Sequence, residues 1–162
     1  MNGAHFHLIL NHFPIVLPFA GLVILVIGYF TKSEPITRTS FLMFILGSLF
    51  TIAAMVTGEK AEELIENLSG IKENSIHLHE ESAELFAILN YIIGILSAIA
   101  LWANWKKRAI ARKLTGAVFI MCIVTLFLIK QVGTSGGEIR HTEIRSNTDN
   151  PIQETNENEE KD

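Results

Sequence analysis

Six histidines are the residues of this chain whose type and spacing best predict chemistry, because imidazole nitrogens are versatile ligands for metal ions and haem iron. They flank the hydrophobic segments of the chain and none falls in the middle of one. They are His5, His7 and His12 at the first segment, His77 and His79 before the third, and His141 beyond the fourth. If the segments cross a bilayer, connectivity alone places all six imidazoles at one membrane face.

Four apolar segments must position those histidines. They cover residues 8–30, 41–57, 85–102 and 114–129 of a chain that is 49% hydrophobic, with a mean hydropathy of +0.33. Crossing a hydrocarbon core takes about 17–25 helical residues. A soluble bundle would show a polar stripe along each helix, and these segments show none. The sequence predicts an all-α integral membrane four-helix bundle of two helical hairpins in contact with lipid, with no evident internal repeat.

Signals at the segment ends refine this bundle. Pro14 and Pro18 predict that the first long helix begins near residues 11–14. Beyond Gly58, apolar residues at helical spacing alternate with acids, which predicts a short amphipathic helix on the outer surface that ends at residues 69–70. Residues 1–145 form the predicted membrane domain. Residues 146–162 form a polar, acidic tail whose composition predicts disorder.

The distribution of lysine and arginine predicts the orientation. The two short loops, residues 31–40 and 103–113, share one side of a four-span protein and hold seven cations. The positive-inside rule makes that side cytoplasmic. Both termini and all histidines are then on the outer, periplasmic side. The seven cations are Lys32, Arg38, Lys106, Lys107, Arg108, Arg112 and Lys113.

Helical geometry separates the two histidines before the third segment. At about 100° per residue, His77 and His79 point in nearly opposite directions. The face of His79 continues through the small and polar residues Ala83, Asn90 and Gly94, which suit close packing between membrane helices. We therefore expect His79 to face inward, toward the first helix and His12, and His77 to face water or headgroups.

The leading hypothesis is a b-type haem held by His12 and His79, with His141 and His7 as further candidates, in a protein that transfers electrons. A partner would be a periplasmic electron carrier or a larger respiratory or other membrane complex. An alternative is a copper, zinc or iron ion held by His12, His79 and His141, with His7 or the carboxylates Glu80 and Glu138 as additional ligands. A third alternative is a structural or assembly subunit whose histidines only hydrogen-bond.

Other functional classes find less support in the sequence. No Ser-His-Asp order, phosphate-binding glycine loop or His-Glu-x-x-His motif is recognisable, so a binding or electron-transfer protein is favoured over an enzyme. No basic aromatic surface indicates nucleic acid. The single cysteine, Cys122, excludes an intrachain disulfide and a Cys-x-x-Cys-His haem attachment.

Three stretches together resemble a known family. They are LILNHFPIV from Leu8 to Val16, GEKAEE from Gly58 to Glu63 followed by HEESA from His79 to Ala83, and GGEIRHTEI from Gly136 to Ile144. These stretches are similar to those of DUF2231, a family of bacterial four-helix membrane proteins. The resemblance implies four spans in a bacterial inner membrane. It favours His12, His79 and His141 over His5 and His77, with His7 intermediate, and it implies no activity.

Overall fold

Five α-helices form the described part of the protein. They are α1 (Gly3–Leu10), α2 (Phe13–Thr31), α3 (Glu34–Ile65), α4 (Glu73–Trp105) and α5 (Ala111–Arg140). The structure is a computed structural model that describes residues 2–66, 71 and 73–141. The helix end predicted at residues 69–70 and the tail predicted for residues 146–162 lie outside the described residues.

Four helical rods have the length and composition to cross a membrane. The first is α1 with α2, and the others are α3, α4 and α5. Together they confirm the predicted all-α, four-span architecture. Many large apolar side chains on these helices are exposed, among them Tyr29, Phe30 and Phe127 at 75–77%. Such a surface is stable in lipid rather than in water, so the bilayer is the environment of this bundle.

The first rod is broken where the prolines predict. Residues 11 and 12 form a turn between α1 and α2, and α2 begins at Phe13 with Pro14 in its first turn. Proline is tolerated there because a backbone N–H at that position has no partner within the helix. Pro18 lies inside α2 and removes one further backbone hydrogen bond.

The third helix is longer than a bilayer requires. Its 32 residues span about 48 Å, against a hydrocarbon core of roughly 30 Å. The amphipathic helix expected after Gly58 is therefore the continuation of α3 to Ile65, since no residue there interrupts the backbone ladder. Ala61 in this extension is buried. Helix α1 packs against α3, and Gly3 approaches Lys60 of the extension closely.

Consecutive rods are neighbours in the bundle. Helix α2 packs along α3, α3 along α4, and α4 along α5, while a narrower contact between α2 and α5 closes the ring. All four rods contribute to one core, which contains Leu22, Leu25, Phe41, Phe44, Ile93, Ala100, Val118 and Cys122. This antiparallel arrangement gives the bundle two chemically different ends.

At the end with the short connections, which we call the cationic end, Arg38 joins two helices. Its Nε donates to Asn104 Oδ1 on α4 at 2.6 Å, and its Nη2 lies 2.7 Å from Glu34 Oε2. Lys32 and Lys107 adopt left-handed conformations that turn the chain sharply. The opposite end, which we call the histidine end, holds all six histidines, as connectivity predicts.

Candidate functional site

The two histidines at the start of α4 face in different directions, as the helical phase predicts. His77 is exposed, and its Nδ1 lies 3.5 Å from Glu81 Oε1 in a solvent-screened pair. His79 is half-buried, and its Nδ1 lies 3.1 Å from Ser135 Oγ on α5. The inward orientation of His79 is therefore confirmed.

His79 is held by a short segment near the end of α5. Ser135 Oγ donates its own proton to the Val132 carbonyl at 3.2 Å, and this carbonyl also interacts with the His79 ring. Gly136 follows directly, and a β-carbon there would lie 2.9 Å from His79 Cε1. Only glycine lets the α5 backbone approach the ring this closely. We call His79, Val132, Ser135 and Gly136 the second clamp.

His7 of α1 is held in the same way by α3. Its Nδ1 lies 3.0 Å from the Ala54 carbonyl oxygen and 3.5 Å from Thr57 Oγ. Thr57 Oγ donates to the Ala53 and Ala54 carbonyls, as Ser135 does to Val132. Gly58 follows, and a β-carbon there would lie 3.3 Å from His7 Cε1. We call His7, Ala54, Thr57 and Gly58 the first clamp.

The acceptors in the two clamps assign the tautomer of each imidazole. A carbonyl oxygen only accepts, so His7 Nδ1 carries the proton that it donates to Ala54. Ser135 has already given its hydroxyl proton to Val132, so His79 Nδ1 donates to Ser135 Oγ. In both neutral rings Nε2 then holds the free lone pair. Within the described residues, neither Nε2 is among the buried polar atoms that lack a partner.

The clamps form an internal repeat that the sequence did not reveal. In each, a carbonyl at one position is followed three residues later by a hydroxyl and four residues later by glycine, as Ala54-x-x-Thr57-Gly58 and Val132-x-x-Ser135-Gly136. The first lies near the end of the second span and the other near the end of the fourth. The two helical hairpins therefore present one imidazole each in equivalent surroundings. The repeated hydroxyl-glycine pair was the sequence signal available.

The imidazole that accompanies His79 is His7. The two imidazoles interact electrostatically when they are protonated. The expectation that the His79 face meets the first helix near His12 is not what the described contacts show. His79 packs on Ser135 and Gly136 of α5, and Gly94 on the same face packs on Ser48 of α3. The reason is topological: α2, which follows His12, is packed between α3 and α5 rather than along α4.

The remaining predicted ligands belong to neither clamp. His12 is exposed at the turn before α2, and Glu80 is exposed on α4. Glu138 is half-buried near the end of α5, and His141 is exposed at its C-cap. Within the described ranges, no group of three or more His, Cys, Asp or Glu side chains is arranged to hold a metal ion. What the structure brings together is a pair of imidazoles.

A cleft opens beside the second clamp, between α4 and α5. It has a volume of about 430 Å³ and its walls include Leu78, Phe127, Lys130, Ser135 and Glu138. The side chain of Ser135 therefore both lines the cleft and holds the His79 ring. The cleft therefore adjoins the second clamp at the histidine end.

Comparison with known proteins agrees with this architecture. The model of one family, described as a predicted membrane protein (DUF2231), matches residues 3–143. No curated protein and no solved structure matches the chain. The matched range contains all five helices and every member of both clamps. This chain therefore belongs to the DUF2231 family of predicted membrane proteins.

Proposed function

We propose that the histidine end binds a redox cofactor through Nε2 of His7 and His79, and that this cofactor is a b-type haem that transfers electrons. The observation that carries the proposal is the pair of clamps. A ligating histidine characteristically donates its other ring N–H to a fixed oxygen, which orients the ring and raises its basicity. Both imidazoles have that arrangement, because each Nδ1 is held by an oxygen and the lone pair is left on Nε2.

The number of ligands also favours haem. Haem iron has four ligands from its own macrocycle, so the protein supplies only one or two axial ligands. Two imidazoles from facing hairpins of a helical bundle are a suitable donor set. The haem would supply a one-electron couple at the membrane surface. His7 and His79 would hold the iron, and the Ala54 carbonyl and Ser135 hydroxyl would fix the two rings.

The absorption spectrum of the purified protein tests this proposal. We expect a Soret band after expression with an adequate haem supply, and its loss in a His7→Ala, His79→Ala double variant. A His5→Ala, His77→Ala double variant is the matched control, because both residues are exposed at the same end. A protein that folds without a Soret band under these conditions would exclude haem.

A copper, zinc or iron ion is the second candidate. The observation that favours it is the presence of Glu138 and His141 within two turns of Ser135 on α5. With His12 or Glu80, they would supply additional ligands once the ion is held by the two clamped imidazoles. Elemental analysis of the purified protein separates the two candidates, since haem gives iron with a Soret band and a simple ion gives a metal without one.

A structural role is the third candidate, because each imidazole ties two helices together. His7 joins α1 to α3, and His79 joins α4 to α5. If this is their whole role, the double clamp variant lowers thermal stability while no cofactor is found in the parent protein. Cofactor in the parent protein and its loss in the variant would contradict a purely structural role.

We also propose that the cationic end faces the cytoplasm of a bacterial cell and the histidine end faces the periplasm. The seven cations of the short connections support this orientation. An outward site would suit exchange with a periplasmic electron carrier or a larger respiratory complex. Cysteines introduced at Ser33 and Ala109 should resist labelling by a membrane-impermeant reagent in intact cells, whereas one at exposed Asn74 should react. The reverse pattern would invert the orientation.

A further inference from the structure

Most buried polar side chains of the bundle are satisfied by their own helix. Among the described residues six are buried: Ser40, Thr51, Ser82, Asn90, Ser97 and Thr125. Four of them donate a hydroxyl proton to a carbonyl three or four residues earlier, at 2.7–2.9 Å. This is the usual way in which serine and threonine are accommodated in membrane helices. The two exceptions both lie on α4.

Asn90 and Ser97 have no hydrogen-bond partner within the described part of the chain. Asn90 is 1% exposed, and both its amide nitrogen and its amide oxygen are unpartnered. Ser97 is 0% exposed, and its hydroxyl is unpartnered. Unlike the four other buried groups, these two make no hydrogen bond to a carbonyl of their own helix.

Both residues lie on the face of α4 that meets α3. At 100° per residue, positions 90, 94 and 97 fall within one narrow stripe. Gly94 approaches α3 so closely that a β-carbon would overlap the Ser48 side chain. We call Ser48, Asn90, Gly94 and Ser97 the α3–α4 seam. Its small residues bring the helices together, and its unpartnered groups belong to the same stripe of α4.

The chemistry of the seam indicates its ligand. A buried amide or hydroxyl without a partner is strongly unfavourable, and most of all within a membrane. The primary amide has two donors and an acceptor, which a small molecule able both to donate and to accept would satisfy. The seam contains no charged side chain, so a neutral molecule fits better than an ion. The helices are in close contact at Gly94, so only a small molecule such as water is compatible with the seam.

We propose that the α3–α4 seam binds water within the membrane-spanning bundle, with one molecule on Asn90 and another on Ser97. The two positions are seven residues apart on α4, about 10.5 Å along its axis, so a single water cannot serve both. Phe86, 5% exposed, lies one turn from Asn90 toward the histidine end. The seam is thus separate from the clamps, and the proposal does not depend on cofactor binding.

Water-edited solid-state NMR of the full chain in lipid bilayers tests this inference. Magnetisation from water should reach the Asn90 side-chain amide about as fast as that of exposed Asn74. It should reach Ile93, 0% exposed on the same helix, much more slowly. It should likewise reach the Ser97 β-carbon faster than that of Thr125, which is equally buried but bonded to its own helix. Transfer to Asn90 and Ser97 as slow as to Ile93 and Thr125 would overturn the proposal.

Variants secure the assignment. An Asn90→Leu variant should remove the fast side-chain signal, and Asn90→Ser serves the same purpose if the leucine variant does not fold. A Thr125→Val variant should leave the Asn90 transfer rate unchanged, because Thr125 is satisfied by Met121. An amide that exchanges slowly and shows a direct coupling to Ser48 would mean that Asn90 bonds α3 instead of water, and would also overturn the proposal.

Discussion

The first and second clamps hold chemically equivalent imidazoles on very different supports. His79 belongs to α4, a continuous 33-residue helix with ten buried residues along its length. His7 belongs to α1, an eight-residue helix with no buried residue, separated from α2 by a turn. The hydrogen bond from Nδ1 is almost the same length in both, 3.0 and 3.1 Å. A hydrogen bond of nearly the same length therefore holds one imidazole on a long, well-packed helix and the other on a short helix.

This difference assigns distinct roles to the two imidazoles. A ring on a well-packed helix keeps its position whether or not a ligand is bound, which lowers the ordering cost of binding. A ring on a short helix that has no fully buried residue adjusts more easily, because less buried packing has to be given up when it moves. We therefore expect His79 to define the position of the bound cofactor and His7 to close on it.

The largest expected effect is that of His79→Ala. It removes the fixed ligand of the proposed cofactor, so most of any haem or metal found in the parent protein should be lost, as measured by absorbance or elemental analysis per mole of protein. His77→Ala is the matched control on the same helix and should retain the cofactor, because the His77 ring points away and is exposed. If His77→Ala loses the cofactor and His79→Ala retains it, then His77 rather than His79 is the ligand.

The next effect concerns the partner of His79. His7→Ala should weaken cofactor binding strongly but less completely than His79→Ala, because a mobile ligand is more easily replaced by water or a neighbouring side chain. His12→Ala should have little effect, since that ring is exposed outside both clamps. The fraction of each variant that binds haem in a titration measures both effects. A larger loss in His12→Ala than in His7→Ala would restore the pairing expected from the sequence.

A smaller effect on cofactor affinity should distinguish the two clamp glycines, Gly58 and Gly136, from Gly133. Gly136→Ala places a β-carbon 2.9 Å from His79 Cε1 and should displace the ring, lowering cofactor affinity. Gly133→Ala meets nothing within 4 Å and should be neutral or stabilise the helix by up to about 1 kcal/mol. Gly58→Ala, at 3.3 Å from His7 on its more mobile support, should be milder than Gly136→Ala. Equal affinities for the three variants would show that the close approach has no role.

The smallest effect belongs to the hydroxyls. Ser135→Ala removes the acceptor of the His79 proton and should weaken binding by about tenfold, the lower range for loss of such an orienting group. Thr57→Ala should change affinity less, because His7 donates mainly to the Ala54 carbonyl, which the substitution keeps. A Ser135→Thr variant retains the acceptor and should recover most of the affinity. If Thr57→Ala has the greater effect, the acceptor assignment in the first clamp is wrong.

Much of the architecture was predictable because it depends on properties of single segments, such as their length, hydropathy and helical periodicity. Segment length and hydropathy indicate four spans, and Pro14 marks the start of α2. The different orientations of His77 and His79 follow from helical periodicity alone. All six histidines lie at one end because, with four spans, both termini and the loop between the second and third spans are on the same side. None of these features requires knowledge of which helix packs on which.

The partner of each imidazole is a tertiary property. The sequence favoured His12 over His7 because His12 adjoins the conspicuous Phe13-Pro14 pair, yet the turn at residues 11 and 12 leaves His12 exposed and lets α1 lie along α3. Whether His79 meets α2 or α5 depends on how the rods are arranged around the bundle. The sequence alone thus determined four apolar helices and the end at which the histidines lie. Only tertiary packing decided that His7 and His79 are the clamped pair, because the oxygens that hold their Nδ1 protons lie 47 and 56 residues away along the chain.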